Sequence, residues 1–372
     1  MNNILGFILF FAVSLSVYIG MHLYTAWWVV RHFAALSAPH VRLYFLLAAL
    51  FFPLAMTLLH FHHNPVTKIL AWLGYLWMGV IFIWLTLAAA DDILALLLSF
   101  AKIDTKPYCG PAVCVLVVLV SAFAVYSALK TPDVRRIEIT MPNLPPKLDG
   151  FKIVQISDAH ISAMVPFSRF VKLCGTLKEL QPDLLVNTGD LVDPGFEAEA
   201  RLEDLSRQFA PKYGKVAVLG NHEFYFGLSK AIDIYRRCGF TLLRHKSVTL
   251  SNGIQIAGVD DVKTSGITPR QIEQLLSGLD QSKPSIYLSH EPVRYDIAAK
   301  YGVGLMLSGH THAGQIFPFT LLVRLRYPHL YGLYKNGEGW HYVTSGTFYW
   351  GPPMRLFAPQ EIPLFILRSP EK

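Results

Sequence analysis

KIVQISDAH, residues 152–160, is the stretch on which the fold turns. Lys152–Ile156 is a β-branched run of strand length. It stops at Ser157-Asp158-Ala159-His160, which leaves an acid and an imidazole at the point where a strand gives way to a loop. The same ending recurs downstream. A helical stretch over about Phe167–Leu180 leads to an apolar strand, Asp183 to Asn187, that ends in Thr188-Gly189-Asp190. A second helical stretch, about Glu197–Phe209, leads to Val216–Leu219, which ends in Gly220-Asn221-His222-Glu223. Ser285–Leu288 then ends in Ser289-His290, and Gly304–Leu307 in Ser308-Gly309-His310-Thr311-His312.

Strands alternating with helices imply an α/β layered domain, and in such domains ligands gather at the carboxyl ends of the strands. A lone His or Gly-Asp at a strand end is ordinarily a polar loop residue or a turn. Five endings in order, each carrying a metal-ligand type, point to one shared crevice. The mixture of carboxylate, imidazole and amide oxygen suits divalent ions such as Mn, Fe or Zn and does not match an all-Cys/His structural zinc site. Glycines before Asp190, Asn221 and His310 allow tight turns there.

Outward from this region the composition changes. Apolar residues make up 52% of the 372-residue chain and charged ones 16%, and most of the apolar excess lies in the first 130 residues. Four stretches there reach the roughly 20 apolar residues that a membrane span needs: Ile4 to about Val30, Leu43–Leu59, Ile69–Ala90 with apolar character continuing to Phe100, and Pro111–Leu129. The first is too long and lacks the basic start of a cleaved signal. The sequence therefore predicts an N-terminal all-α transmembrane bundle over 1–130, a linker over 131–150 and a catalytic α/β domain over 151–372. Pro132, Pro142, Pro145 and Pro146 keep helix out of most of the linker, while Arg135–Ile139 alternates as an edge strand would.

The formal net charge is +7, but Lys and Arg never cluster beyond a pair such as Arg135-Arg136. Anionic lipid headgroups account for this as well as nucleic acid does, and nucleic acid is not an expected partner. A multi-pass location in the cell membrane is expected. The basic residues Arg31, Arg42, Lys102 and Lys106 nearly balance Lys130, Arg135, Arg136 and Lys147, so the positive-inside rule gives only a lean toward a cytoplasmic catalytic domain. Cys109, Cys114, Cys174 and Cys238 show no zinc spacing and read as buried or membrane-facing thiols. His22, His60, His62 and His63 lie near span ends and read as interfacial.

The series Asp158-x-His160, Gly189-Asp190, Gly220-Asn221-His222-Glu223, His290 and Gly309-His310-Thr311-His312 closely resembles the calcineurin-like metallophosphoesterases, from about Phe151 to the last residues. The stretch HTHAGQ, with Ser345-Gly346-Thr347 and Gly351-Pro-Pro-Met-Arg355, further resembles the bacterial subgroup related to YkuE and YaeI, which includes membrane-anchored members. The resemblance implies a layered β-sandwich flanked by helices. It assigns one metal to Asp158, His160, Asp190 and His312, and a second to Asp190, Asn221, His290 and His310. Asp190 would bridge the two, and His222 would be a catalytic non-ligand that protonates the leaving group. Glu223 fits either a supporting carboxylate behind the ligands or a solvated helix start. Arg355, in a Gly/Pro-rich loop, is expected to contact substrate phosphate. Phe348-Tyr349-Trp350 and Ile316-Phe317-Pro318-Phe319 fit either a greasy rim facing lipid or plain packing, and Asp260-Asp261 reads as a turn.

The expected activity is hydrolysis of a phosphate ester or diphosphate with two divalent ions, on a phosphorylated small molecule or a lipid- or nucleotide-linked substrate, with membrane lipids as neighbours. A membrane sensor or scaffold that binds a phosphorylated ligand without turnover is the alternative. The intact ligand series together with His222 favours the enzyme. A transporter would require more polar groups inside the spans.

Overall fold

The computed structural model describes residues 2–102, 106–194, 196 and 199–370. The chain divides into two compact units, Met1–Tyr126 with Gly351–Met354, and Ser127–Trp350 with Arg355–Lys372.

The first unit holds four long helices: α1 (Asn2–His32), α2 (Ala38–Phe61), α3 (Pro65–Ser99) and α4 (Lys106–Leu129). Each contains a segment long and apolar enough to cross a membrane. Local chemistry fixes the start of α3. The Asn64 side chain accepts from the backbone N–H of Val66 and Thr67, Thr67 Oγ1 accepts from the Asn64 N–H, and Pro65 occupies the first helical position. The run past Asp91 is helical to Ser99, as its apolar continuation indicated. The two acids on it are paired with the C-terminal turns of α1. Asp91 accepts from Trp28 Nε1 at 2.9 Å and lies 3.1 Å from His32 Nε2, while Asp92 meets Arg31 and Tyr24. Such pairing is what permits acids in an apolar bundle.

Among its described residues the second unit has twelve strands: β1 (Asp133–Thr140), β2 (Lys152–Ile156), β3 (Leu184–Asn187), β4 (Lys215–Ala217), β5 (Thr241–Leu242), β6 (Lys246–Thr249), β7 (Gln255–Val259), β8 (Ser285–Ser289), β9 (Leu305–Ser308), β10 (Gly332–Asn336), β11 (Gly339–Val343) and β12 (Glu361–Arg368). They form two six-stranded sheets, ordered β1-β12-β2-β3-β4-β5 and β10-β11-β9-β8-β7-β6. Between the sheets lies one apolar layer, with Ile153, Leu184 and Val216 from the first and Ile256, Ile286, Leu305 and Tyr342 from the second. The outer face of the first sheet is covered by α5 (Phe167–Leu180), α6 (Glu199–Arg207) and α7 (Asn221–Arg237). The second sheet is covered by α9 (Pro269–Ser277) and α10 (Tyr295–Lys300), which follow the short α8 (Val262–Ser265). One further helix is α11 (Phe319–Arg326). Strands buried on both faces read as continuous apolar runs, which is why KIVQI shows no alternation. The helix expected from about Glu197 is α6; residues 197 and 198 lie outside the described residues.

Within the expected linker over 131–150, the edge strand read at Arg135–Ile139 is present and longer than expected. Asp133–Thr140 is a full edge strand, pairing parallel with β12 from Asp133↔Glu361 to Thr140↔Arg368. Met141, Leu144 and Leu148 are buried in the layer between the sheets. The prolines exclude helix, but they do not exclude an extended edge followed by a short 3-10 turn. The unit also reaches back past residue 131. Arg169 donates to the carbonyls of Ala128 and Lys130, and Gln360 Nε2 donates to those of Ser127 and Ala128. A fragment beginning at Ser127 should therefore be more stable than one beginning at Thr131, which strands the half-buried Arg169. At about 1–3 kcal/mol for lost bonds to a charged donor, its thermal midpoint should fall by several degrees, read by circular dichroism.

Candidate active site

All five strand endings converge at one edge of the sandwich. The backbone records what this convergence costs. Asp158, His160, Asp190, His310 and His312 have φ of 53°, 43°, 54°, 69° and 48°. Left-handed conformations are uncommon for non-glycine residues, and they persist only where surrounding structure enforces them, most often at functional sites. Two glycines make room for the carboxylates. A β-carbon at Gly220 would overlap the Asp190 side chain, and one at Gly309 would overlap those of Ser157 and Asp158.

Two clusters result, beside a third group, His160, Asp193 and His222, that shares His160 with the first. Asp158, His160 and His312 bring their ligating atoms together, as do Asp190, His290 and His310. His160 Nε2 lies 3.1 Å from His312 Nε2, and His290 Nε2 lies 3.2 Å from His310 Nδ1. Asp190 links them. Its Oδ2 is 3.1 Å from His290 Nε2 and 3.8 Å from His160 Nε2, while its Oδ1 accepts from the His222 backbone N–H at 2.9 Å. His290 Nδ1–H donates to the Thr188 carbonyl at 2.7 Å, which leaves Nε2 free to face the cluster.

Residues 151–314 match the family model for calcineurin-like phosphoesterases. A metallophosphoesterase of Campylobacter jejuni is 35% identical over 263 residues, 68% of each chain. The chain belongs to this family. The Bacillus subtilis metallophosphoesterase YkuE is 35% identical over 61% of this chain and 82% of its own. A Danio rerio protein named as a transmembrane protein with a metallophosphoesterase domain is 30% identical over 68% of this chain and 62% of its own length. The four helices of span length and apolar composition in this chain suggest a membrane protein.

The donor set fits the metal dependence of the family. Asp158, Asp190, Asp193 and Glu223 are all buried around the crevice, and carboxylates packed together in low dielectric are unfavourable without cations. Asn221 Oδ1, sealed from solvent, finds no hydrogen-bond partner among the described residues. A buried amide oxygen left unpaired is what a cation would satisfy. Burial pushes Asp190 upward, but His290 and then His222 and His160 outweigh it and hold the carboxyl well below its usual range. Burial, and then the Arg355 charge, hold His312 well below the usual imidazole value, so that its ring stays neutral and able to ligate.

Behind these groups stands a shell that the sequence revealed only in part. Glu223, left open between two roles, is fully enclosed. Its carboxylate accepts from the backbone N–H of Gly220, Asp190 and Leu191 at 2.8–2.9 Å and from Tyr235 at 3.2 Å. It fixes the loop that presents Asp190. Burial and the Asp190 charge push it up to about 7. Asp193 was missed. Its Oδ1 accepts from His160 Nδ1 at 2.9 Å and His222 Nδ1 at 2.7 Å, so one oxygen orients both rings. Its signal was the third position after Asp190, where the Ile161↔Val192 bridge extends the parallel pairing. Tyr327 was also missed. Its hydroxyl lies 3.0 Å from His310 Nε2 and donates to Glu291 at 2.8 Å. Asp260 accepts from Arg244, and Asp261 caps α8 through the Thr264 N–H, in keeping with a turn.

Arg355 is corrected. It is 1% exposed, and its guanidinium donates to the carbonyls of Ser345 and Phe348 while Nη2 packs 2.9 Å from His312 Nδ1. A side chain spent on main-chain carbonyls behind the site does not reach a substrate. Flanking Gly and Pro suggested an open loop, but this loop folds over the arginine.

Asp193→Asn should loosen both histidines at once. The affinity of the Asp158/His160/His312 cluster for divalent metal should fall about 10–100-fold, read by titrating metal-stripped protein, while the thermal midpoint of the metal-free protein changes little.

Proposed function

We propose that this metallophosphoesterase hydrolyses a phosphate ester or diphosphate with two divalent cations, one held by Asp158, His160, Asp190 and His312 and the other by Asp190, Asn221, His290 and His310. The observation that carries the reading is the position of Asp190 Oδ2 between His160 Nε2 and His290 Nε2, with its other oxygen already occupied by a backbone donor. Bound cations supply Lewis acidity that neutralises phosphate charge and lowers the pKa of water. Mn, Fe or Zn suit the mixed O/N donors.

The chain's own residues supply positioning and a proton. His222 is held by Asp193 through Nδ1, so its Nε2 is turned outward. In the protonated ring this nitrogen donates to the leaving oxygen as charge develops on it. Trp350 lies beside it, ring centroid 5.4 Å from that of His222 and 6.4 Å from that of His160, and Tyr225 packs at 5.4 Å on the same ring. These half-exposed aromatics shield the reacting bond from bulk water and give the site an apolar lip. Residency in the membrane and this lip favour a phosphorylated small molecule or lipid encountered at the bilayer surface. Lys130, Arg135, Arg136 and Lys147 are nearly balanced by Arg31, Arg42, Lys102 and Lys106, so the positive-inside rule gives the cytoplasmic side only a lean.

The test uses the full chain in detergent, stripped of metal and reloaded with Mn, Fe, Zn or Mg one at a time, on p-nitrophenyl phosphate and bis-p-nitrophenyl phosphate. Turnover should require metal. His222→Ala should lower it by about 10²–10⁴-fold with metal content unchanged, and Asp190→Ala should lose metal and activity together. Full activity in Asp190→Ala would sink the site assignment. Two bound metals with no turnover of either ester would favour a ligand-binding sensor.

A further inference from the structure

Helix α11 is built unlike α9, a helix of similar length in the same unit. Nine-residue α9 buries Ile272 and Leu276, whereas α11 buries none of its eight residues. Leu321, Leu322 and Leu325 are 56%, 60% and 82% exposed. At about 100° per residue, these three leucines share an arc of roughly 100°. On the same wheel Arg324 and Arg326 fall on either side of that arc, and both are exposed. Exposed Phe317 and Phe357, with ring centroids 5.9 Å apart, extend the apolar surface. A leucine face bordered by arginines is the pattern of a helix lying in a bilayer interface. The apolar side sinks among acyl chains, and the guanidinium groups reach anionic headgroups.

The same helix is tied to the active site at both ends. Thr320 Oγ1 donates to the Ala313 carbonyl at 3.1 Å, next to His312. At the other end the capping Tyr327 lies 3.0 Å from His310 Nε2. Gln315 binds both the N–H and the carbonyl of Trp350, the aromatic beside His222. The leucine face, the loop carrying His310 and His312, and the lip over His222 therefore form one continuous piece. A bilayer is also the partner that the four span-length apolar helices imply. Helix α4 ends at Leu129 and the first strand begins at Asp133, so only about a dozen ångströms of extended chain separate them.

We infer that α11, with Phe317 and Phe357, docks on the anionic surface of the bilayer and holds the mouth of the active site at headgroup level, so that the site takes phosphorylated lipids whose acyl chains stay in the membrane. The docking stands on α11 itself; the lipid substrate rests on the phosphoesterase reading above. The two are tested separately, with the full chain in nanodiscs of phosphatidylethanolamine and phosphatidylglycerol. For docking, Leu325→Cys is labelled with an environment-sensitive fluorophore after Cys109→Ala and Cys114→Ala; Cys174 and Cys238 are buried and stay unlabelled. Doxyl-labelled lipid should quench the probe and aqueous iodide should not. Quenching by iodide alone overturns docking. Quenching by neither means that protein, such as a second copy of the chain, covers the helix, and overturns it too.

For the substrate, Leu321→Gln/Leu322→Gln/Leu325→Gln is compared with the parent on two esters. Hydrolysis of water-soluble p-nitrophenyl phosphate should stay near the parent value. Hydrolysis of long-chain phosphatidic acid in the disc should fall about tenfold, as the loss of three apolar anchors implies. Equal rates on phosphatidic acid, or equal losses on both esters, overturn presentation by the bilayer. Lipid quenching in a protein that hydrolyses neither ester leaves docking standing and removes the phosphoesterase reading.

Discussion

Asp190 is the residue around which the catalytic unit is arranged. A carboxylate at the end of a central strand, shut off from water, is tolerable only if each oxygen and the backbone that carries it are answered by polar partners. One oxygen takes the His222 N–H and the other lies between two imidazoles. Its own N–H goes to Glu223, which also gathers the N–H groups of Gly220 and Leu191. Two separate strand ends, after β3 and after β4, are thus clasped by a single glutamate. Without that clasp the left-handed turn at Asp190 would have little to enforce it.

The two clusters do not receive the same support. His160 leans on a carboxylate, Asp193, whereas the ring of His312 lies against a guanidinium, Arg355. The first arrangement raises the electron-donating power of a ring and the second lowers it. His310 has a third kind of neighbour, the Tyr327 hydroxyl, which passes on to Glu291. Chemically similar side chains are therefore tuned differently from behind, and under the two-cation reading proposed above the two positions would not behave alike.

Much of this was legible in the sequence because function and fold use the same signal there. Strand endings that carry Asp, Asn and His mark at once where a strand stops and where a crevice opens, so the residues from Asp158 to His312 could be read directly. Supporting residues carry no such mark. Asp193 and Tyr327 differ in nothing local from surface residues; what distinguishes them is a partner far along the chain. Arg355 was misread for the same reason, since a Gly/Pro loop looks open until the carbonyls it wraps around the guanidinium are seen. The edge strand was legible in part: the alternation of Arg135–Ile139 marked it, and Pro132, Pro142, Pro145 and Pro146 fall outside Asp133–Thr140. What nothing local showed was its partner, Glu361–Arg368.

The parallel pairing of β1 with β12 bears on how the protein is made. During synthesis the four apolar helices emerge before the strands and are long and apolar enough to enter the bilayer while the ribosome is still working. The strand that follows them has no partner until Glu361–Arg368 has left the exit tunnel. Through that interval an edge rich in unpaired N–H and C=O groups stands beside the membrane, open to association with other chains. Its Arg135 and Arg136, together with Asp133 and Glu138, make it a poorly adhesive edge, and so act as a safeguard during biogenesis.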